Sequence, residues 1–278
     1  MIRCGVSLIE AGHCLHPAIM ARAGASLCPT QFPALVGVIR HPSAGIMLFD
    51  TGYDPAFFAA TQRLPERLYR WATPVRLGAG EAAVDQLARC GIAAGDVTAI
   101  ILSHFHGDHV AGLSAFPRAR IFCARTGLDE MHRLGRFARV RNGLLIALAP
   151  ADIAARATFF EDLPRAPLPA ALAPFEDGAD LLGDASLLAI ELPGHCPGHW
   201  GLALAGEDGR RLMLVGDAAW SIGAIRDDAP PPWLTTALLG NTAHYRRTLG
   251  ALHALAARNP DLVMLPSHCR EAARALDG

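Results

Sequence analysis

Short β-branched apolar runs alternate along this chain with longer stretches of helical period, and turn residues separate the two. The runs 33–40 and 45–50 flank His41-Pro42-Ser43-Ala44-Gly45 and predict a hairpin, the second strand ending on Asp50. Residues 55–71 carry an amphipathic helical pattern that Thr73-Pro74 breaks, and 81–90 predict a second helix stopped by Gly91. The run 97–102 is a buried strand by composition, residues from Val110 onward open a helix, and 119–124 is the next strand. Residues 1–30 show no clear period and are expected to be irregular.

The stretch 125–180 departs from this rhythm. It carries Arg125, Arg133, Arg136, Arg139 and Arg141, an apolar patch at 144–148, and then Pro164, Pro167, Pro169 and Pro174. A helical, proline-bounded insertion over the active site is expected. Strands resume at 186–192, 200–204 and 211–215, followed by a loop-rich segment from Trp220 to Asn241. A helix over 241–258 places Tyr245, Leu249, Leu252 and Leu255 on one face, and a strand at 261–266 and a helix at 271–276 close the chain. Strands then helix, twice over, predict a single α/β domain across 1–278, built as a four-layer αββα sandwich.

Composition narrows the classes. At 278 residues the chain can bury a large core, and 51% hydrophobic content supplies one. A net charge of -1 with 18% charged residues provides no basic face for nucleic acid or an anionic membrane. Every basic residue among the 25 Lys+Arg is arginine, which excludes Schiff-base chemistry and a lysine-bearing phosphate loop. No apolar run reaches the roughly 18 residues of a membrane helix. Seven scattered cysteines without a Cys-x-x-Cys pair predict reduced thiols and a cytoplasmic protein, with no catalytic work assigned to sulfur.

The chemistry concentrates in Ser103-His104-Phe105-His106-Gly107-Asp108-His109, on the loop after the buried 97–102 strand. Imidazole is the commonest metal ligand, and three of them beside a carboxylate call for a cation. His104 and His106 point one way along an extended loop, while Asp108 and His109 turn to a second position, so two metals are expected. Further ligands must come from other strand ends, and His195, Asp217 and His268 each follow a buried run in that manner.

These ordered motifs, from Asp50-Thr51-Gly52 to Ser267-His268, resemble the metallo-β-lactamase superfamily over nearly the whole chain. The resemblance implies the αββα sandwich and a dinuclear site between its sheets, with two divalent ions, zinc foremost and manganese or iron as alternatives. It implies that His104, His106 and His195 hold one ion, that Asp108, His109 and His268 hold the other, and that Asp217 bridges them. Asp50 would orient a ligand imidazole, and His199 is expected to be structural. The redox diiron members carry a glutamate where this chain has His106, and zinc β-lactamases lack the bridging aspartate or use a nearby cysteine. Pro193-Gly194-His195-Cys196-Pro197-Gly198-His199 with Gly216-Asp217-Ala218 is most similar to N-acyl homoserine lactonases, then to glyoxalase-II-type thioesterases.

The implied activity is a metal-dependent hydrolase in which a metal-bridging hydroxide opens a lactone or related carboxylic ester, an acyl homoserine lactone among them, with Asp108 moving the proton. A glyoxalase-II-type thioesterase, or a non-hydrolytic biosynthetic or sensor protein, stands as the alternative. Such lactonases place a tyrosine three residues after the bridging aspartate, and this chain has Trp220 there, expected to contact substrate. The expected partner is a small molecule with an apolar moiety, and neither nucleic acid nor membrane. The pocket walls are expected from 13–28, 125–180 and 220–240.

Overall fold

A computed structural model describes residues 2–277. The first half begins with β1 (Gly5–Pro17), β2 (Pro29–His41) and β3 (Gly45–Phe49). Then come α1 (Pro55–Ala60), α2 (Arg67–Ala72), β4 (Val75–Arg76), α3 (Ala83–Arg89), β5 (Val97–Ile101), α4 (Gly107–Val110) and β6 (Arg120–Cys123). Helices α5 (Arg125–Arg133), α6 (Arg136–Arg141) and α7 (Ile153–Arg156) lead into β7 (Ala157–Phe159), β8 (Arg165–Pro167) and β9 (Asp177–Asp180). The remainder is β10 (Leu188–Glu191), β11 (Trp200–Ala205), β12 (Arg211–Gly216), α8 (Ile222–Arg226), α9 (Trp233–Leu239), α10 (Thr242–Arg258), β13 (Val263–Pro266) and α11 (Arg270–Asp277).

These strands form two sheets, in the orders β4-β1-β2-β3-β5-β6-β7 and β13-β12-β11-β10-β9-β8. The αββα sandwich read from the sequence is the fold observed. Its layering follows from side-chain alternation: Met47 and Phe49 join Ala99 and Ile101 between the sheets, while Leu48 and Ile100 face the helices outside. Facing them in the central layer are Ala189, Leu202, Leu212, Leu214 and Leu265, and α10 covers the far side with Tyr245, Leu249, Leu252 and Leu255. Burial on both faces is why these strands read as continuous apolar runs. The sheets approach closely at Gly37, where a Cβ would stand 2.6 Å from Leu214 Cδ2.

Four expectations about elements need correction. Residues 5–17 are a long strand rather than irregular, antiparallel to β2 with a bulge between Glu10 and His13. That pairing is non-local, and the bulge breaks the period that would have revealed it. The helix expected over 55–71 is two helices with a turn between them, because Pro65 cannot continue a helical ladder. The stretch 125–180 is not uniformly helical, since its second half adds β7 to one sheet and β8 and β9 to the other. The 220–241 segment holds the two short helices α8 and α9. Among the described residues no helix is long and apolar enough to cross a membrane. All seven cysteines are free.

Candidate metal centre

Strand ends deliver the polar cluster. β5 runs into Ser103 and His104, and a tight helix α4 begins at Gly107, one residue earlier in the chain than Asp108 and well before the expected start at Val110. Asp108 and His109 therefore lie in a first helical turn and not on an extended loop. His195 comes from the turn after β10, Asp217 follows β12, and His268 follows β13. His104, His106, Asp108, His109, His195, Asp217 and His268 are all buried.

Three of the imidazoles, His104, His109 and His268, are oriented by their Nδ1 atoms. His109 Nδ1 lies 2.7 Å from Asp50 Oδ2, and the Asp50 carboxylate also accepts from the Ser103 N–H and hydroxyl, both at 2.8 Å. His104 Nδ1 is 2.9 Å from Ser103 Oγ, and His268 Nδ1 donates to the Pro33 carbonyl at 2.6 Å. Asp50, φ 62°, sits in the left-handed region that an aspartate tolerates better than most residues. The imidazole it touches is that of His109, where the sequence reading named no particular histidine.

The other nitrogens converge. His106 Nδ1 faces His195 Nε2 at 2.9 Å. Asp217 Oδ2 is 3.1 Å from His268 Nε2 and 3.3 Å from His195 Nε2, and Asp217 Oδ1 is 3.4 Å from His109 Nε2. Asp108 Oδ2 lies 3.4 Å from His268 Nε2 and 3.6 Å from His109 Nε2. Three groups have donor atoms within 4.8 Å of one another: His104, His106, His195 and Cys196; His104, His109 and Asp217; and Asp108, His109 and His268.

The donor set fits cations. His104 Nε2, His109 Nε2 and Asp217 Oδ1 are buried without hydrogen-bond partners, and each such group costs about 1–3 kcal/mol if nothing meets it. Burial pushes His104 and His195 well below the ordinary imidazole range and His106 to about 4, which leaves neutral lone pairs ready to ligate. Burial would push His109 and His268 down as well, but Asp108, Asp50 and Asp217 around the first, and Asp217 beside the second, raise both. Burial likewise opposes ionisation of Asp217, and His268, His109 and His195 still hold it well below the carboxylate range. The carboxylates thus attract positive charge into a dry site, which hard-plus-borderline N/O donors suit to a divalent ion.

His199 is not part of the cluster. Its Nδ1 donates to the Leu192 carbonyl at 3.0 Å and its Nε2 accepts from the Asp217 N–H at 2.9 Å.

A cavity of about 560 Å³ opens onto His106, Asp108, His195, Asp217 and His268. Its walls are apolar and aromatic, including Phe32, Leu68, Tyr69, Phe137 and Trp220. Trp220 packs its ring 5.8 Å from His268, 6.1 Å from His195 and 5.8 Å from Phe32, centroid to centroid. Its indole N–H is buried with no partner, and the ring forms a wall against the His195 and His268 imidazoles. Of the arginine run, Arg133 pairs with Glu130 and Arg136 with Glu66, while Arg141 borders the cavity. The wall from α2, with Leu68 and Tyr69, is absent from the sequence reading. Only the chain path brings it beside α4, where the Tyr69 ring edge lies 3.1 Å from the position of a Gly107 Cβ.

Comparison with known proteins follows the same lines. A family profile described as the metallo-beta-lactamase superfamily matches residues 29–268. The N-acyl homoserine lactonase AttM of Agrobacterium fabrum is 27% identical over 158 residues, covering 55% of this chain and 53% of that protein. AttM of Azorhizobium caulinodans is 27% identical over 186 residues, covering 64% and 60%. The chain thus spans little more than half the length of the curated relatives it matches. Among solved structures, an N-acyl homoserine lactone hydrolase with N-hexanoyl-L-homoserine at its catalytic metal centre superposes with a TM-score of 0.71 at 18% identity, over 99% of this chain and 96% of the other. AidC, a dizinc quorum-quenching lactonase, superposes with a TM-score of 0.66 at 17% identity, over 98% and 90%. At these identities the superpositions speak to fold.

Proposed function

The chain belongs to the metallo-β-lactamase superfamily, and from that premise we propose a dinuclear metal-dependent hydrolase that opens a lactone or related carboxylic ester, with acyl homoserine lactones as the substrate class. The observation that carries this reading is the set of buried, unpartnered donors, His104 Nε2, His109 Nε2 and Asp217 Oδ1, in a cluster of which His106, Asp108, His195, Asp217 and His268 line an apolar cavity. In it, His104, His106 and His195 would hold one ion, Asp108, His109 and His268 would hold the other, and Asp217, which lies beside His109, His195 and His268, would serve both. Two zinc ions there would supply a hydroxide near neutral pH, by lowering the pKa of bound water to about 7, and would polarise the substrate carbonyl.

The chain's own residues do the rest. Asp108 borders the cavity, and in this reading it passes a proton to the departing alkoxide oxygen. Phe32, Trp220 and Phe137 present apolar surface for an acyl chain, and the buried face of Trp220 keeps water from the back of His195 and His268. Asp50 and the Pro33 carbonyl fix the Nδ1 sides of His109 and His268, so that each presents Nε2 inward. The lactonase relatives support the lactone reading over the thioester one. The reading includes a cytoplasmic setting, zinc as the native ion and a freely diffusing small-molecule substrate.

The test is elemental analysis of the purified protein combined with acid release from a panel of acyl lactones and thioesters, with and without chelator. Chelator-sensitive acid release from the lactones is expected. Thioester turnover alone would move the assignment to a thioesterase, and no turnover with two ions bound would overturn hydrolysis.

A further inference from the structure

Cys196 follows His195 in the turn between β10 and β11. Its sulfur forms a group with His104, His106 and His195 in which one donor atom of each lies within 4.8 Å of all the others. The thiol is buried, as are the three imidazoles. Within that group His104 has a ring nitrogen with no partner. Its Nδ1 is engaged by Ser103 Oγ at 2.9 Å, and its Nε2 is buried with no partner. A sequence reading that assigns no role to sulfur leaves this arrangement unexplained.

We propose that Cys196 Sγ is a further protein donor to the ion assigned to His104, His106 and His195, so that three imidazoles, one thiolate and the shared Asp217 carboxylate surround that position. The inference rests on the dinuclear centre proposed above and adds the chemical identity of one of its ions. Zinc bonds of about 2.3 Å to sulfur and 2.0–2.1 Å to nitrogen are compatible with four donor atoms that lie within 4.8 Å of one another. As the ion binds, a sulfur–metal bond forms, the S–H bond breaks and its proton leaves to solvent, with no change of oxidation state. A thiolate is a soft donor, so this position selects zinc, or cobalt as its surrogate, over manganese or magnesium. The second position, with Asp108, keeps the harder set, and residues of both positions border the cavity, His106 and His195 from the first and Asp108 and His268 from the second.

Cobalt(II) loaded into the full-length protein tests this through absorption rather than turnover. The expected result is an intense near-ultraviolet thiolate-to-cobalt charge-transfer band at two cobalt ions per chain. The band is lost in Cys196→Ser and in Cys196→Ala, and retained in Cys14→Ser, whose thiol also borders the cavity. A wild-type spectrum with full cobalt occupancy and visible bands only would overturn thiolate ligation while leaving the dinuclear centre intact. Failure to bind cobalt at all would overturn both. A band that persists in the two Cys196 variants would assign it to another sulfur and overturn the proposal.

Discussion

The Asp217 backbone N–H donates to His199 Nε2 at 2.9 Å, and His199 Nδ1 donates in turn to the Leu192 carbonyl at 3.0 Å. One ring thereby ties the strand end that carries Asp217 to the turn that carries His195. Gly216, at φ 55°, leaves room for it, since a Cβ there would stand 2.8 Å from His199 Nε2. His199→Ala removes both bonds, strands a buried N–H and a buried C=O, and opens a cavity. A loss of about 2–4 kcal/mol in unfolding free energy is expected, together with a fall in metal affinity of about 10- to 100-fold. Denaturant melts and chelator competition measure the two. Unchanged metal affinity would show that Asp217 is held without this ring.

The same pair carries a pH signature. Burial lowers His199 from the ordinary 6.5 to about 4. Between these values the unfolded chain binds a proton at this site that the folded chain does not, so the contribution of His199 to stability is full above 6.5 and is lost as pH falls toward about 4. The stability gap between wild type and His199→Ala, measured on metal-free protein, is therefore expected to shrink across that window. A gap that is flat or widens with acid would mean that the imidazole is protonated in the fold.

Asp50 touches His109 through its Nδ1 side, at 2.7 Å, while also accepting from Ser103. Asp50→Asn keeps the shape and removes the charge, and its amide group can turn a donor toward an imidazole that needs an acceptor. Metal affinity is expected to drop by about 10- to 100-fold, with the fold retained by circular dichroism. Equal affinity in chelator competition would remove Asp50 from the account of the site.

The clustered histidines and Asp108 of 103–109 were legible because they sit in a local motif after a strand buried on both faces, whose apolar run is continuous. Asp50, Asp217 and His268 were legible for the same reason, as polar residues at the tips of such strands. What escaped depends on distant pairing. β1 shows Ser7, Glu10, His13 and His16 among its apolar residues and becomes a strand only through its ladder with β2. β7, β8 and β9 are short pieces near or at sheet edges, with Pro164 and Pro167 among them, and they resemble loop until the sheets are assembled. Tyr69 reaches the cavity because α2 folds back beside α4, and the double use of the His199 ring needs the β12 end and the β10 turn to meet.

Asp217 contacts His109 through Oδ1 and both His195 and His268 through Oδ2. In Asp217→Asn one oxygen becomes an NH₂ that cannot ligate. Loss of at least one ion per chain is expected, with kcat/KM on a lactone falling by at least about 100-fold, the scale of removing one group that acts on transition-state charge. Unchanged metal content and turnover would refute its role in joining the two ions.

Phe137 stands on α6 at the cavity mouth, 74% exposed, across from Leu68 of α2 at 44%. An apolar side chain of that size left open beside an apolar cavity gains only when something covers it, at about 25 cal/mol for each Å² removed from water. A long acyl chain emerging from the site would cover Phe137, and a short one would not reach it. Phe137→Ala is therefore expected to raise KM for a long-chain acyl lactone about tenfold, equivalent to about 1.4 kcal/mol, and to leave a short-chain substrate and kcat unchanged. As a surface change it should shift unfolding free energy by no more than about 0.5 kcal/mol. Steady-state kinetics across a series of chain lengths reads this directly. Equal losses at every length would place the acyl chain elsewhere in the cavity, and the walls formed by Phe32 and Trp220 would then be the ones that select it.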